Sequence, residues 1–343
     1  YAEKGFAKYK RMSAEKAASA LALIHPTDQY SDLSECDAVI EAVFENRDVK
    51  AEVTRETEAE AKQDLLFASN TSALPITELA EASARPENFI GMHFFSPAER
   101  MPLVELICGE KTSDEALARA FDLAQQLGKM PIVVNDSPGF FTTRVIGATI
   151  TEGSKLVMEG VNPVVVESAA RDNGSPIGPL TAIDEISQET AYKNGQQAKA
   201  DLIARGGVWE ATPESTLLER MVVEFGRLGK RHGAGYYDYP EGQPKRIWPG
   251  MQEHFAPGGF VDLPYEDVKD RLLYCQCLEA VRAMEEGVIS SVGDGNIGSI
   301  MGIGFPAQTG GVFQCINGIG LARFAARCEE LEERYGDRFK VPA

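Results

Sequence analysis

No stretch of this sequence forms a long hydrophobic run. A membrane-spanning helix needs roughly eighteen or more consecutive apolar residues, and no segment approaches that length. The opening segment YAEKGFAKYKRMS also lacks the apolar core of a secretory signal peptide. We therefore predict a protein that is neither inserted into a membrane nor secreted.

Cysteine is scarce, and no two cysteines have the CxxC spacing of a redox or zinc motif. The six cysteines are too few for a disulfide scaffold in a chain of 343 residues. Reduced thiols and a cytoplasmic location are the better interpretation, and no metal site is predicted. The cysteines are Cys36, Cys108, Cys275, Cys277, Cys315 and Cys328.

Positively charged residues are outnumbered by acidic ones. The chain has 34 lysines and arginines against 52 aspartates and glutamates, which gives a net charge of −18. Nucleic-acid binding depends on a basic surface, so this balance argues against a nucleic-acid partner. The hydrophobic content of 43% and the charged content of 25% are typical of folded globular proteins.

The sequence also lacks, near its start, the glycine-rich loop of a dinucleotide-binding fold. That loop has the pattern GxGxxG directly after a first strand, with an acidic residue about twenty positions later. The segment GIGFPA from Gly302 fits loosely, but no predicted strand precedes it and Pro306 is incompatible with the geometry. Spacing alone therefore predicts no nucleotide site.

The first 135 residues alternate between short apolar runs and amphipathic segments. The runs DAVIEAVF, DLLFASN, NFIGMHFF, LVELI and MPIVVN have the length and composition of buried strands. Segments with helical spacing lie around them, with Ser13 and Ser113 as predicted helix caps. Strands joined by helical crossovers predict a mostly parallel sheet with helices on both faces.

From residue 136 onward the pattern becomes almost entirely helical, so the predicted fold class is α/β followed by all-α. Asp136 or Ser137 is the predicted cap of a helix that Pro138 starts. The segment 226–242 is polar and glycine-rich, which predicts a turn-rich connector. No strand is predicted in this half of the chain.

Two segments of the helical half repeat each other. RVIGATITEGSKLVMEGV from Arg144 and RLLYCQCLEAVRAMEEGV from Arg271 share the arginine, a glutamate at 152 and 279, and a final Glu-Gly-Val. A cluster rich in glycine and proline follows each segment. We predict two related helical modules that pack against each other, with chance similarity of two amphipathic helices as the alternative.

Five motifs follow one another along the chain. They are CDAVIEAVFENRDVK, FASNTSALPITELA, IGMHFFSPAERMPLVELI, NDSPGFFTTRV and GSPIGPLTAIDEI. In this order they resemble the L-3-hydroxyacyl-CoA dehydrogenase family, and in particular the dehydrogenase portion of the multifunctional α-subunit of the fatty acid oxidation complex. The resemblance extends over essentially the whole chain. It implies NAD-dependent oxidation of (S)-3-hydroxyacyl-CoA to 3-oxoacyl-CoA in fatty acid β-oxidation.

The resemblance also implies a domain order and partners. A truncated Rossmann-like NAD-binding domain would occupy residues 1–135, and two tandem, related helical domains would occupy 136–240 and 241–343. The family's N-terminal hydratase region and the first strand, glycine loop and second strand of its dinucleotide fold find no match, and Tyr1 falls after them. We expect an acyl-CoA substrate and a thiolase β-subunit as partner, and a homo-oligomer remains open.

His93 and Glu105 form the predicted proton-transfer pair. The resemblance makes neutral His93 the base that takes the hydroxyl proton as hydride leaves C3 of the substrate for the nicotinamide. It makes Glu105 the carboxylate that orients the imidazole. Histidine suits both directions of this transfer because imidazole titrates near neutrality. Without the resemblance, a core histidine beside an unrelated glutamate would be the preferred interpretation.

Three hydroxyl residues complete the predicted site. Ser72 matches the family's substrate-contacting serine at the end of a strand, and helix capping is its alternative role. Thr143 stands where the family usually has asparagine, and its hydroxyl lacks the paired donor and acceptor of an amide. Ser96 likewise stands at a position where asparagine is common.

The resemblance implies NAD contacts around the end of the first predicted strand. These positions are Val43, Phe44, Glu45, Lys50, Ser72 and Ser96. Taken alone, the two charged residues among them would be ordinary surface charges at a helix start. A basic run near the start is a candidate contact for the CoA phosphates, with a solvated helix face as the alternative. That run comprises Lys4, Lys8, Lys10 and Arg11.

Two further functions stay open. Another β-hydroxyacid dehydrogenase would have the same two-domain plan, and a non-enzymatic helical module would dock a thiolase subunit.

The chain begins with Tyr1 rather than methionine, which we interpret as a piece of a longer protein. Loss of the first strand and its loop would expose strand edges and remove N–H donors for the pyrophosphate. Activity and inactivity of this chain alone are therefore both open.

Overall fold

A computed structural model describes residues 13–342 of the chain. A five-stranded sheet with helices comes first, and a mainly helical part follows it. This order confirms the predicted α/β class followed by a helical region. The basic run predicted as a CoA contact, Lys4, Lys8, Lys10 and Arg11, lies outside the described residues.

The sheet contains the apolar runs predicted as strands, in chain order across the sheet. The strands are β1 (Ala38–Glu41), β2 (Leu66–Ser69), β3 (Phe89–Phe94), β4 (Leu103–Cys108) and β5 (Met130–Asn135). β1, β2 and β3 run parallel, and β4 and β5 are parallel to each other. The prediction of a mostly parallel sheet is therefore confirmed.

The pairing of β3 with β4 is antiparallel. The connection 95–102 is too short for the helical crossover that a parallel neighbour would need. The chain therefore turns back on itself between these strands. This reversal places residues of β3 directly opposite residues of β4.

Each face of the sheet is covered by helices. The helices of this part are α1 (Ala14–Leu21), α2 (Arg47–Glu60), α3 (Ile76–Ala80) and α4 (Asp114–Gln126). Ala116, Ala120 and Ala124 of α4 pack against one face of the sheet. The predicted caps are confirmed, because the Ser13 and Ser113 hydroxyls accept hydrogen bonds from backbone N–H groups of α1 and α4.

β1 forms one edge of the described sheet, where it pairs with β2 only. Ile40 in this strand is 38% exposed, and Phe44 in the following loop is 85% exposed. In contrast, all four residues of β2 are buried. The sheet is therefore less covered at β1 than at β2.

The second part of the chain consists mainly of helices. They are α5 (Thr142–Met158), α6 (Pro163–Asp172), α7 (Pro179–Ile186), α8 (Gln188–Ala204), α9 (Pro213–Glu219), α10 (Gly250–Phe255), α11 (Tyr265–Glu285), α12 (Val292–Ile303), α13 (Val312–Ile319) and α14 (Leu321–Tyr335). Helix α12 packs on β4 and β5, so the face of the sheet opposite α4 meets the helical part.

The predicted start of α5 at Pro138 is wrong. Gly139 and Phe140 have φ values of 75° and 52°, a left-handed backbone conformation that interrupts a right-handed helix. Asp136 does not cap α5 either, because its carboxylate accepts the N–H groups of Ile76 and Thr77 at the start of α3. Helix α5 therefore begins only at Thr142.

The helical part also contains a small hairpin that the sequence did not predict. Strands β6 (Tyr237–Asp238) and β7 (Arg246–Ile247) pair antiparallel. Tyr236 and Tyr237 are buried, because the segment 226–242 packs into the core that contains Leu180 and Met251. Part of the segment predicted as a turn-rich connector is therefore buried inside the helical part.

The repeated segments form helices α5 and α11, which pack along each other. Arg271 of α11 forms an ion pair with Glu152 of α5 at 2.6 Å, and Arg144 of α5 forms one with Glu279 of α11 at 2.7 Å. Each arginine thus pairs with the glutamate of the other segment at the repeated position. This reciprocity supports the predicted packing of two related modules.

Candidate active site

His93 and Glu105 are directly opposite each other in the antiparallel pair β3 and β4. The imidazole Nδ1 lies 2.9 Å from Glu105 Oε2. Side chains of a strand alternate between the two faces of a sheet, so opposite residues share one face. Strand register therefore brings this pair together across the twelve-residue separation in sequence.

The Glu105 carboxylate is fully buried, and it has hydrogen-bond donors on both oxygens. Its Oε1 accepts the N–H groups of Phe141 and Thr142, each at 3.0 Å. Its Oε2 accepts the Thr142 hydroxyl at 2.6 Å in addition to pairing with His93. The carboxylate lies at the start of α5, where helix N–H groups have no partners within the helix. A buried anion is stabilised in this position.

The His93 ring lies between aromatic side chains. Its centroid is 4.6 Å from that of Phe95 and 6.1 Å from that of Phe140. The side chain is 7% exposed. Among the described residues Nε2 has no hydrogen-bond partner, whereas Nδ1 contacts Glu105. One ring nitrogen is thus held by the carboxylate, and the other is not bound by any described residue.

The structure brings Ser72 and Thr143 together. The Thr143 hydroxyl donates to the Ser72 carbonyl oxygen at 3.2 Å. Ser72 follows β2 and is exposed, whereas Thr143 is the second residue of α5. Thr143 is therefore adjacent in the chain to Thr142, which contacts Glu105. The predicted catalytic residues therefore form two contacting pairs, His93 with Glu105 and Ser72 with Thr143, which are linked through the start of α5.

The predicted nucleotide positions are arranged mainly along one exposed edge. Val43, Phe44 and Glu45 lie in the loop after β1, and Ser96 follows β3. All four residues are exposed. The Glu45 carboxylate also accepts the Ser72 N–H at 3.1 Å, which links this loop to the end of β2. Carboxyl ends of parallel strands are where open α/β sheets bind ligands.

Lys50 lies apart from this exposed edge, because its side chain is only 2% exposed. Its Nζ is 2.8 Å from Glu41 Oε1 and 3.4 Å from Glu45 Oε2. The alternative interpretation of Lys50 as a surface charge is therefore wrong. The exposed loop and strand ends fit the binding of a dinucleotide at this edge. Lys50 instead binds the carboxylates of Glu41 and Glu45 on the buried side of the loop.

Sequence reasoning missed two residues of this site. Glu41 is buried at the end of β1 and binds Lys50, the Ser69 hydroxyl and the Val43 N–H. A charged residue inside the apolar run AVIEAVF was its only signal. Thr142 was missed because no pattern in sequence links a threonine at a helix start to a glutamate in a distant strand.

Family comparisons cover most of the chain. Residues 2–137 match the family described as 3-hydroxyacyl-CoA dehydrogenase, NAD binding domain. Residues 139–239 match the family described as 3-hydroxyacyl-CoA dehydrogenase, C-terminal domain. In the described residues, no helix is long and apolar enough to cross a bilayer.

Curated relatives include the fatty acid oxidation complex subunit alpha of Shewanella halifaxensis. It is 36% identical over 339 residues, which are 98% of this chain and 47% of that protein. The corresponding subunit of Pseudomonas putida is 38% identical over 333 residues, 95% of this chain and 45% of the relative. The chain thus spans about half the length of the curated relatives it matches.

Solved structures are similar as well. The 3-hydroxybutyryl-CoA dehydrogenase of Escherichia coli has a TM-score of 0.82 at 24% identity, covering 99% of this chain and 87% of that one, and shows the shared fold. The (S)-3-hydroxybutyryl-CoA dehydrogenase of Ralstonia eutropha is 35% identical with a TM-score of 0.62, covering 69% of this chain and 83% of that one. With its sheet, its helical part and these matches, the chain belongs to the 3-hydroxyacyl-CoA dehydrogenase family.

Proposed function

We propose that this chain carries the NAD-dependent 3-hydroxyacyl-CoA dehydrogenase part of a larger fatty acid oxidation enzyme. The observation that carries the proposal is the contact of 2.9 Å between His93 Nδ1 and the buried carboxylate of Glu105. Family membership supports the substrate class, an (S)-3-hydroxyacyl-CoA oxidised to the 3-oxoacyl-CoA. The names of the curated relatives support the assignment to fatty acid oxidation.

His93 acts as the general base through Nε2, which takes the proton of the C3 hydroxyl. Glu105 keeps the other proton on Nδ1 and stabilises the imidazolium that forms. In the reverse direction the imidazolium returns the proton to the carbonyl oxygen. Ser72 and Thr143 are the proposed substrate contacts, and the Thr143 hydroxyl would turn from the Ser72 carbonyl oxygen to donate to the substrate oxygen.

The nicotinamide of a bound NAD would accept the hydride that leaves C3 of the substrate. The loop residues Val43, Phe44 and Glu45 would hold the cofactor, with Ser72 and Ser96 at the neighbouring strand ends. Lys50 supports the cofactor site without contacting the cofactor. It pairs with the buried Glu41 and lies 3.4 Å from the carboxylate of the loop residue Glu45. The exposure of the loop residues and of both serines supports this assignment.

The domain order belongs to the same proposal. Residues 1–135 form the NAD-binding domain, and residues 136–240 and 241–343 form two related helical domains. The reciprocal ion pairs between α5 and α11 support the relationship of the helical domains. A thiolase β-subunit in a cytoplasmic assembly is the proposed partner, because the curated relatives are subunits of a complex.

Turnover of acetoacetyl-CoA with NADH tests the function. His93→Gln should lower kcat by about 10²- to 10⁴-fold, as loss of a positioned acid/base group does. His232→Gln is the matched control, because His232 lies at the surface of the helical part. Both substitutions are made in this chain and in a version extended at its N-terminus, since the curated relatives are about twice as long.

Two outcomes would contradict the proposal. One is the absence of turnover in both the chain and its extended version. The other is full activity of His93→Gln. Equal turnover of small 3-oxo acids and of their CoA thioesters would instead identify another β-hydroxyacid dehydrogenase.

A further inference from the structure

Thr142 shares a carboxylate oxygen with the proposed catalytic base. Its hydroxyl, which is fully buried, donates to Glu105 Oε2 at 2.6 Å. The same oxygen lies 2.9 Å from His93 Nδ1. The Thr142 backbone N–H donates to the other oxygen, Oε1, at 3.0 Å. One residue thus contacts both oxygens of the carboxylate that orients the histidine.

We propose that Thr142 is a positioning residue, whose hydroxyl fixes Oε2 of Glu105 so that this oxygen holds the Nδ1–H tautomer of His93. The inference rests on the proposed function of His93 as the base. Thr142 does not contact the substrate in this account. It acts through Glu105, and it keeps Nε2 of His93 unprotonated and available for the substrate hydroxyl.

The geometry explains why one hydroxyl matters. A carboxylate turns readily about its terminal torsion, and its two oxygens are equivalent unless different donors distinguish them. Here two backbone N–H groups occupy Oε1, and the Thr142 hydroxyl occupies Oε2. Without the hydroxyl, Oε2 would keep His93 as its single partner in a buried place. Hydrogen bonds to a buried charged group are among the stronger ones in proteins.

The position of Thr142 at the first residue of α5 connects two parts of the molecule. Phe141, which precedes the helix, provides no side-chain cap, so Glu105 of β4 takes that role for α5. The next residue, Thr143, contacts the carbonyl of Ser72. Two successive threonines therefore link the start of α5 to β4 on one side and to the end of β2 on the other.

The test compares Thr142→Val, which keeps the side-chain shape but removes the hydroxyl, with Thr142→Ser, which restores it. We expect Thr142→Val to lower kcat roughly ten-fold while KM changes less than about two-fold, the size of one hydrogen bond to a charged group. Thr142→Ser should recover most of the loss. Thr149→Val is the matched control, because Thr149 lies in the same helix and its hydroxyl contacts the Leu272 carbonyl.

A second readout does not depend on turnover. ¹⁵N NMR of the free protein reports which ring nitrogen of each histidine carries the proton, and the His93→Gln variant identifies the His93 signal. In the unsubstituted chain we expect His93 as the Nδ1–H tautomer. Thr142→Val should give a mixture of tautomers, and Thr142→Ser should not. Thr142→Ala provides the same comparison if the valine variant does not fold.

The two readouts separate this inference from the proposed function. An unchanged His93 tautomer in both Thr142→Val and Thr142→Ala would overturn the positioning role, whatever the turnover. A drop in kcat that Thr142→Ser does not recover would also overturn it. A tautomer mixture in a protein that never turns over acetoacetyl-CoA would support the positioning role and contradict the proposed function instead.

Discussion

At the scale of single residues, the chemistry of the site depends on the buried carboxylate of Glu105. It accepts two backbone N–H groups and one hydroxyl while it pairs with His93. A carboxylate can accept at both oxygens, whereas an amide has one acceptor and one donor group. The ionised acid is therefore the side chain that satisfies all of these donors.

Replacement of Glu105 by glutamine tests this requirement. The amide NH₂ of Glu105→Gln would face either the N–H groups of α5 or the Thr142 hydroxyl and His93, and it would leave buried donors unpaired. We expect a loss of about 1–3 kcal/mol in the free energy of unfolding, measured with denaturant, and a fall in kcat. Glu110→Gln is the control, because Glu110 is exposed beyond the end of β4. Unchanged stability of Glu105→Gln would contradict this account.

Lys50 provides a second test at this scale. Lys50 and Glu41 are both buried, so removal of the lysine leaves a buried carboxylate without its counter-ion. We expect Lys50→Met to lower the free energy of unfolding by about 3–5 kcal/mol. The double variant Glu41→Gln with Lys50→Met should recover part of that loss. If Lys50→Met instead weakened NADH binding without any change in stability, a direct cofactor contact would be the better account.

At the scale of elements, helix α8 is joined to the sheet part by ion pairs. Only Gln188 of this helix is buried. Asp201 pairs with Arg47 of α2 at 2.9 Å, and Arg205 pairs with Glu78 of α3 at 2.6 Å. Glu78 also pairs with Arg47 at 2.9 Å, so it is common to both links. The helix is therefore attached through charges that salt can screen.

Glu78→Gln should loosen α8 without unfolding the protein. Each pair is partly exposed, so we expect a loss of at most about 1 kcal/mol in the free energy of unfolding. Amide hydrogen exchange over residues 190–204 should become faster, because local opening no longer breaks these contacts. Glu189→Gln, which removes the pair with Lys193 inside the helix and a longer contact of 4.0 Å with His232 but no contact with the sheet part, is the control. Equal exchange in both variants would show that the ion pairs of Glu78 do not hold α8.

At the scale of the whole molecule, the contact between α5 and α11 joins the two repeated segments through unequal ion pairs. Arg271 is completely buried and contacts Glu152, which is also buried. Arg144 is 16% exposed, and its second partner Glu286 is 54% exposed. The two arginines therefore pair with glutamates at equivalent positions of the repeat, but one pair is buried and the other is partly exposed to solvent.

This difference predicts unequal effects of two matched substitutions. Arg271→Met should lower the free energy of unfolding by about 1–3 kcal/mol, because the buried Glu152 loses one arginine partner and keeps Arg338. Arg144→Met should cost less, since water can solvate its partners. Chemical denaturation of both variants under the same conditions measures the difference. Equal losses would mean that burial does not govern this interface.

Much of the architecture could be predicted from the chain alone. The apolar runs became the five strands, and Ser13 and Ser113 became helix caps, because strand and helix periodicity and capping depend on neighbouring residues. The start of α5 could not be predicted. Asp136 and Pro138 are residue types that commonly begin a helix. Asp136 instead accepts a hydrogen bond from α3, and the left-handed backbone of Phe140 prevents the helix from beginning before Thr142.

The sequence by itself determined the strand and helix pattern, the repeat, and the motifs that name His93 and Glu105. Only the tertiary structure decided that β4 runs antiparallel to β3, that Thr142 completes the carboxylate, and that Lys50 is buried against Glu41. Local patterns record which residues prefer a strand or a helix. The partners of a buried charge are set by long-range register and packing, because desolvation makes each such group depend on residues far away in sequence.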